Sequence, residues 1–67
     1  MNVKQLIYEL QQFDPKLMVI RPGYEGGLEE IAYFRQINID LNVNKGAWYL
    51  GPHEENENGT TGAVLLS

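Results

Sequence analysis

The first apolar residues of the chain recur with the spacing of one helical face. Positions three or four residues apart along the chain lie on the same side of an α-helix, so this spacing predicts an amphipathic helix with a single apolar stripe. The residues of the stripe are Val3, Leu6, Ile7, Leu10 and Phe13.

Signals at both ends bound this helix. Asn2 can cap it through its side-chain oxygen, and Gln5 stands three residues later, in the position of a capping box. Asp14-Pro15 predicts the end, because the residue before a proline is displaced from the α region. We expect the stripe to pack on a sheet.

The rest of the chain has the pattern of a small antiparallel sheet. The apolar run 17–20, between two prolines, predicts a buried strand, and the alternation over 31–43 predicts a half-buried one. After a hairpin connection at 44–46, we expect a return strand at 47–50 and a last strand at 62–66. The predicted class is α+β: an N-terminal helix packed on a small antiparallel sheet of three to four strands.

Three residues on these strands leave alternatives open. Arg35 occupies a position where the alternation would place an apolar residue. Either the strand has a bulge there, or the Arg35 stem lies on apolar surface with its charged end in water. Trp48 and Tyr49 are adjacent and point to opposite faces, so one belongs to the core and the other to the open face. If Trp48 continues the inward phase, Tyr49 is the exposed residue.

Length and composition predict one folded domain, residues 1–67, with a hydrophobic core too small to give more than marginal stability. Apolar residues make up 43% of the chain and charged residues 21%, which is typical of a globular protein. A chain this short buries only about 60% of its unfolded surface, and the absence of cysteine excludes disulfides. Small chains often compensate by association, and a bare edge strand could pair with another copy, so we expect either a self-associating surface that makes a homo-oligomer or a rather idealised core.

Charge bears on the kind of partner. The net charge is −4 and the basic residues are scattered, which excludes direct nucleic-acid binding by a basic patch. The acidic groups either meet a basic partner or keep solvated loops soluble. Six of them fall in two places: Glu25, Glu29 and Glu30, then Glu54, Glu55 and Glu57.

No segment predicts a membrane or secretory function. No apolar run approaches the ~20 residues that span a bilayer, and the N-terminus lacks the pattern of a signal peptide. We therefore expect no membrane partner and a cytoplasmic location.

The stretch Arg21–Gly27 interrupts two apolar runs and holds three glycines. It predicts a turn between strands, and its functional interpretation is an exposed Tyr24 with Glu25 beside it, since tyrosine is a typical interface anchor. A phosphate-binding loop is excluded, because the spacing differs from G-x-G-x-x-G and Glu25 would repel phosphate.

The polar segment from His53 to Thr61 is the second candidate region, as a solvated loop with a turn at Asn58-Gly59. His53, Glu54 and Glu55 could meet a basic partner there. One histidine in a loop makes a metal site unexpected. An EF-hand beginning at Asp40 fails, because Lys45 stands where the calcium loop needs glycine.

The inventory of reactive groups predicts no enzyme and no cofactor. The chain has no cysteine, one histidine and a single serine, Ser67. A nucleophile with a base and an orienting acid cannot be assembled from these residues.

The residues of the first third resemble those of small accessory proteins encoded by bacteriophages and prophages. The resemblance implies a protein of the bacterial host's cytoplasm and brings no active site. It is carried by Val3-Lys4-Gln5-Leu6-Ile7, Leu10, Asp14-Pro15 and Gly23-Tyr24-Glu25-Gly26-Gly27.

The leading functional hypothesis is therefore an inhibitor that binds and occludes a host or phage protein. An antiviral-defence component such as a CRISPR complex is the example that small acidic phage proteins suggest by analogy. The alternatives are an oligomeric sponge for a small ligand or nucleotide signal, held by glycine amides and Trp48 or Tyr49, and a phage structural or assembly factor. The expected binding residues are Tyr24, Glu25, Tyr49, His53, Glu54 and Glu55.

Overall fold

The structure, a computed structural model, describes all residues, Met1–Ser67. Its helix and antiparallel strands confirm the α+β class. The strands form a three-stranded sheet, within the predicted three to four, and a separate two-stranded one. The chain divides into two compact units, Met1–Ala32 and Tyr33–Ser67, which are described separately. That the chain is one domain stays a prediction.

The first unit begins with helix α1, Val3–Leu10, and the predicted capping box is present. The Asn2 side-chain oxygen accepts a hydrogen bond from Gln5 N–H at 2.8 Å, and the Gln5 side-chain oxygen accepts one from Asn2 N–H at 2.7 Å. The helix ends earlier than Asp14-Pro15 predicted. The hydrogen bonds of Gln12 and Phe13 run to residues only three positions back, so the chain continues as turns.

Asp14–Leu17 forms a β-turn, with Pro15 at its second position. Leu17 N–H donates to the Asp14 carbonyl at 3.0 Å, and Lys16 N–H donates to the Asp14 side chain at 2.9 Å. The prediction of a buried strand at 17–20 is wrong in extent and in burial. Strand β1 is Ile20–Pro22, and the preceding residues have exposed side chains and no strand pairing.

Strand β1 pairs antiparallel with β2, Leu28–Glu30, and the glycine stretch connects the two strands. The predicted turn between two strands is therefore confirmed over residues 23–27, whereas Arg21 and Pro22 of the predicted stretch belong to β1. A tight turn with Glu25 and Gly26 at positive φ makes the connection, and Gly23 N–H donates to the Gly27 carbonyl at 2.8 Å to close it.

The second unit is built on β3, Phe34–Asp40, with β4, Glu54–Glu55, on one side and β5, Thr61–Leu66, on the other. The predicted last strand is confirmed, and β3 is shorter than the predicted 31–43. The β3–β5 register is continuous from Phe34↔Leu66 to Ile39↔Thr61, so Arg35 marks no bulge.

Residues 44–50 form turns, so the predicted hairpin and return strand are wrong. Ala47 N–H donates to the Asn44 carbonyl at 3.4 Å and Leu50 N–H donates to the Ala47 carbonyl at 3.0 Å. These local bonds between residues three apart satisfy the backbone without a strand partner.

No residue of the chain is fully buried. The least exposed surface of the three-stranded sheet is the face that carries Ile37, Ile39, Ala63 and Leu65, each of which is half-buried. Each unit therefore leaves much of its apolar surface open. No helix of the chain has the length and apolar character needed to cross a membrane.

Candidate functional site

Tyr24 and Glu25 lie at the tip of the first hairpin. The Tyr24 side chain is 83% exposed, and Gly27 N–H donates to the Tyr24 carbonyl at 3.1 Å. Glu25 adopts the left-handed conformation (φ 49°, ψ 46°), followed by Gly26 at φ 81°. Glycine takes this conformation freely, whereas it strains a residue with a Cβ atom. The hairpin therefore presents the tyrosine ring to solvent on a defined turn.

An ion pair supports that hairpin. Arg21 Nη2 lies 2.8 Å from Glu29 Oε2, and the two residues are Cα partners in the β1–β2 register. The stem of Glu29 passes close to Gly23, where an added Cβ would lie 2.5 Å from Glu29 Cγ. A side chain at position 23 would therefore displace the side chain of Glu29.

His53, Glu54 and Glu55 are more ordered than the predicted loop. Glu54 and Glu55 form β4 and pair with the end of β3. His53 Nδ1 accepts a hydrogen bond from Asn42 N–H at 3.0 Å. Glu55 Oε1 lies 3.3 Å from Arg35 Nη2, so a basic partner would compete with an internal ion pair for this carboxylate.

Trp48 and Tyr49 both face solvent, so the prediction that one of them is core is wrong. Their exposed fractions are 93% and 72%. The two rings contact each other edge to face, with centroids 5.8 Å apart and an interplanar angle of 88°. Because 47–50 is a turn and not a strand, no sheet phase directs either ring inward.

The six predicted binding residues fall in both units. Tyr24 and Glu25 belong to the first unit, and the other four to the second. Within the second unit, only Glu54 and Glu55 share an element. No group of three or more histidine, cysteine, aspartate or glutamate side chains is arranged to hold a metal ion.

The first unit also contains an apolar groove of about 740 Å³ that was not predicted as a site. Ile7 and Leu10 of the α1 stripe form one wall, and the chain from Phe13 to Ile20 forms the other. Both apolar patterns are visible in the sequence, where they predict core. What the sequence did not indicate is that nothing in this unit covers them. The apolar lining residues are Ile7, Leu10, Phe13, Leu17, Met18, Val19 and Ile20.

Comparisons with known proteins add no relative: no family model, curated protein or solved structure shows a significant match to this chain. The resemblance to phage accessory proteins stays a prediction.

Proposed function

We propose that this chain is a small non-catalytic protein that acts by binding another protein, and that the groove of the first unit is its docking site. The observation that carries the proposal is the exposure of the lining. Its apolar side chains are between 44% and 69% exposed, although they form one continuous concave surface. Contiguous exposed apolar surface of this kind marks interaction sites on soluble proteins.

A protein segment fits the groove better than a small molecule does. Sites for small ligands bury roughly 70–90% of the ligand, which needs walls that close around it. Here even Ile20, the least exposed apolar lining residue, is 44% exposed. A shallow apolar surface of this kind is the type that a helix or extended segment covers with its own apolar side chains.

Charge favours a segment flanked by basic residues. The chain carries a net charge of −4, and Asp14 is the charged residue that lines the groove. Complementary charge accelerates encounter and selects among apolar segments.

The form of this function that the resemblance suggests is inhibition. A chain of this size would act by occluding the partner's own binding surface, and a host protein of antiviral defence or a phage protein is the partner class that we propose. This action needs no cofactor or reactive side chain, in keeping with the inventory of the sequence.

Site-specific photo-crosslinking tests the proposal. A photoreactive amino acid at Met18, in the groove, is compared with one at Leu28, which is outside it and equally exposed at 69%. We expect a bacterial lysate to yield one protein crosslinked from position 18 and not from 28, and the purified protein to give the same crosslink. Equal capture from both positions, or capture of none, overturns the proposal. If a small apolar ligand, and not a protein, is found to occupy the groove, the groove is assigned to that ligand. This outcome overturns the proposal as well.

A further inference from the structure

The two sheets expose four strand edges, and three of them are protected against pairing. Strand β4 has only two residues, both glutamate. Strand β1 contains Arg21 and Pro22, and β2 contains Glu29 and Glu30. Short length, charge and proline are the features by which proteins keep sheet edges from pairing.

Strand β5 has none of these features. Thr61–Leu66 is six residues long, carries no charge and no proline, and is the outermost strand of its sheet. It pairs with β3 along its whole length in an unbroken register. Its outer side is therefore a regular, uncharged edge.

The hydrogen bonds identify which residues face that edge. Tyr33 and Ser67 exchange both backbone hydrogen bonds, at 2.6 and 3.0 Å. In an antiparallel ladder such pairs alternate with non-bonded ones, so Thr61, Ala63 and Leu65 direct their backbone groups to β3. Gly62, Val64 and Leu66 therefore direct their N–H and C=O groups outward.

We propose that β5 pairs antiparallel with β5 of a second copy, on a twofold axis at Val64, so that two three-stranded sheets join into one. The outward groups then bond in three reciprocal pairs: Gly62 with Leu66, Val64 with Val64, and Leu66 with Gly62. All outward backbone groups of the strand are satisfied.

The side chains explain why the occupant is a second copy. In this register both leucines meet a small residue, because Leu66 faces Gly62 and Leu65 faces Ala63 of the other copy. Val64 is half exposed on its own sheet and would be covered by its counterpart. Cross-strand pairs of this kind are the unit of sheet stabilisation, and no like charges oppose each other. A twofold axis requires such self-complementarity.

The pairing and the groove rest on different residues, since β5 belongs to the second unit and the groove to the first. A result that overturns the pairing of β5 therefore leaves the proposed function unaffected, and the reverse also holds. A dimer formed in this way carries two grooves.

Sedimentation and amide exchange of the full chain test the pairing. We expect a concentration-dependent mass of twice 7.6 kDa. Exchange at the Gly62, Val64 and Leu66 amides should slow as the dimer forms, whereas the amides of Ala63 and Leu65 are protected by β3 at every concentration. A mass of 7.6 kDa throughout, or a dimer in which the Val64 amide stays unprotected, overturns the proposal.

A matched pair of variants adds a second readout. Val64→Lys places two ammonium groups opposite each other on the axis, and we expect dimerisation to weaken by roughly tenfold or more. Gln36→Lys adds the same charge to the β3 residue beside Val64 and should dimerise as the wild type does. Equal dimerisation of a folded Val64→Lys protein contradicts the register. If that variant does not fold, the amide exchange of the wild-type protein decides whether the register is correct.

Discussion

The guanidinium of Arg21 lies 2.8 Å from the carboxylate of Glu29, its partner across the first hairpin. Both side chains are about half exposed, and exposed ion pairs contribute only about 0–1 kcal/mol. The Glu29 side chain that makes this pair also lies against Gly23, in the hairpin that presents Tyr24.

Replacement of Gly23 by alanine should displace Glu29 and open this ion pair. The added Cβ would lie 2.5 Å from Glu29 Cγ and 2.9 Å from Oε1, so the side chain must move. We expect faster amide exchange throughout the hairpin. The control is Gly27→Ala, whose Cβ would meet only the Tyr24 carbonyl, at 3.4 Å. Equal exchange rates in the two variants would show that the close approach has no consequence.

Gly59 should be the glycine of the second unit that is most sensitive to alanine. A Cβ atom there would lie 2.6 Å from the Ile39 carbonyl oxygen and 2.9 Å from that of Asn56, and backbone atoms of a sheet and turn cannot move aside easily. We expect Gly59→Ala to lower the free energy of unfolding by about 1–3 kcal/mol.

Gly46→Ala is the control for this substitution. No atom lies within 4 Å of its Cβ position, so the change should be neutral or stabilise by up to about 1 kcal/mol. Urea unfolding followed by circular dichroism measures both variants. A Gly59→Ala protein as stable as Gly46→Ala contradicts the described turn between Asn56 and Gly59.

The capping box should set the helicity of the first unit. Asn2→Ala removes the acceptor of the Gln5 N–H bond, and loss of such a cap costs about 1 kcal/mol. An eight-residue helix has little cooperativity to absorb that loss. We expect a clear fall in the helical far-UV signal, whereas Lys4→Ala, which breaks no hydrogen bond of the cap, should retain it. Equal spectra would mean that the helix is held by other contacts.

Periodic and local signals were sufficient to predict the helix start, the glycine turn and the last strand. Asn2 and Gln5 bond within one turn, and the alternation through Ile37 and Ile39 matches β3. The short apolar runs at 17–20 and 47–50 were misinterpreted as strands, because a strand needs a partner that the run itself does not identify. Local turns instead satisfy Ala47 and Leu50.

The candidate site was predictable only in part. Exposure of Tyr24 follows from its glycine neighbours, whereas the ion pair of Glu55 with Arg35 joins residues 20 positions apart and depends on the β3–β4 pairing. The groove was missed for a different reason. A stripe such as Ile7 and Leu10 predicts burial, and only the three-dimensional arrangement shows that its own unit leaves it open.

The central claim is that the groove binds a protein partner, and the most direct measurement is the affinity of the purified crosslinked partner for two variants. Met18→Asp places a charge in the groove, and Leu28→Asp places the same charge on a residue of equal exposure outside it. Calorimetry should show roughly tenfold or greater weakening for Met18→Asp, about 1.4 kcal/mol, and wild-type affinity for Leu28→Asp. Equal affinities for the two variants would contradict the claim.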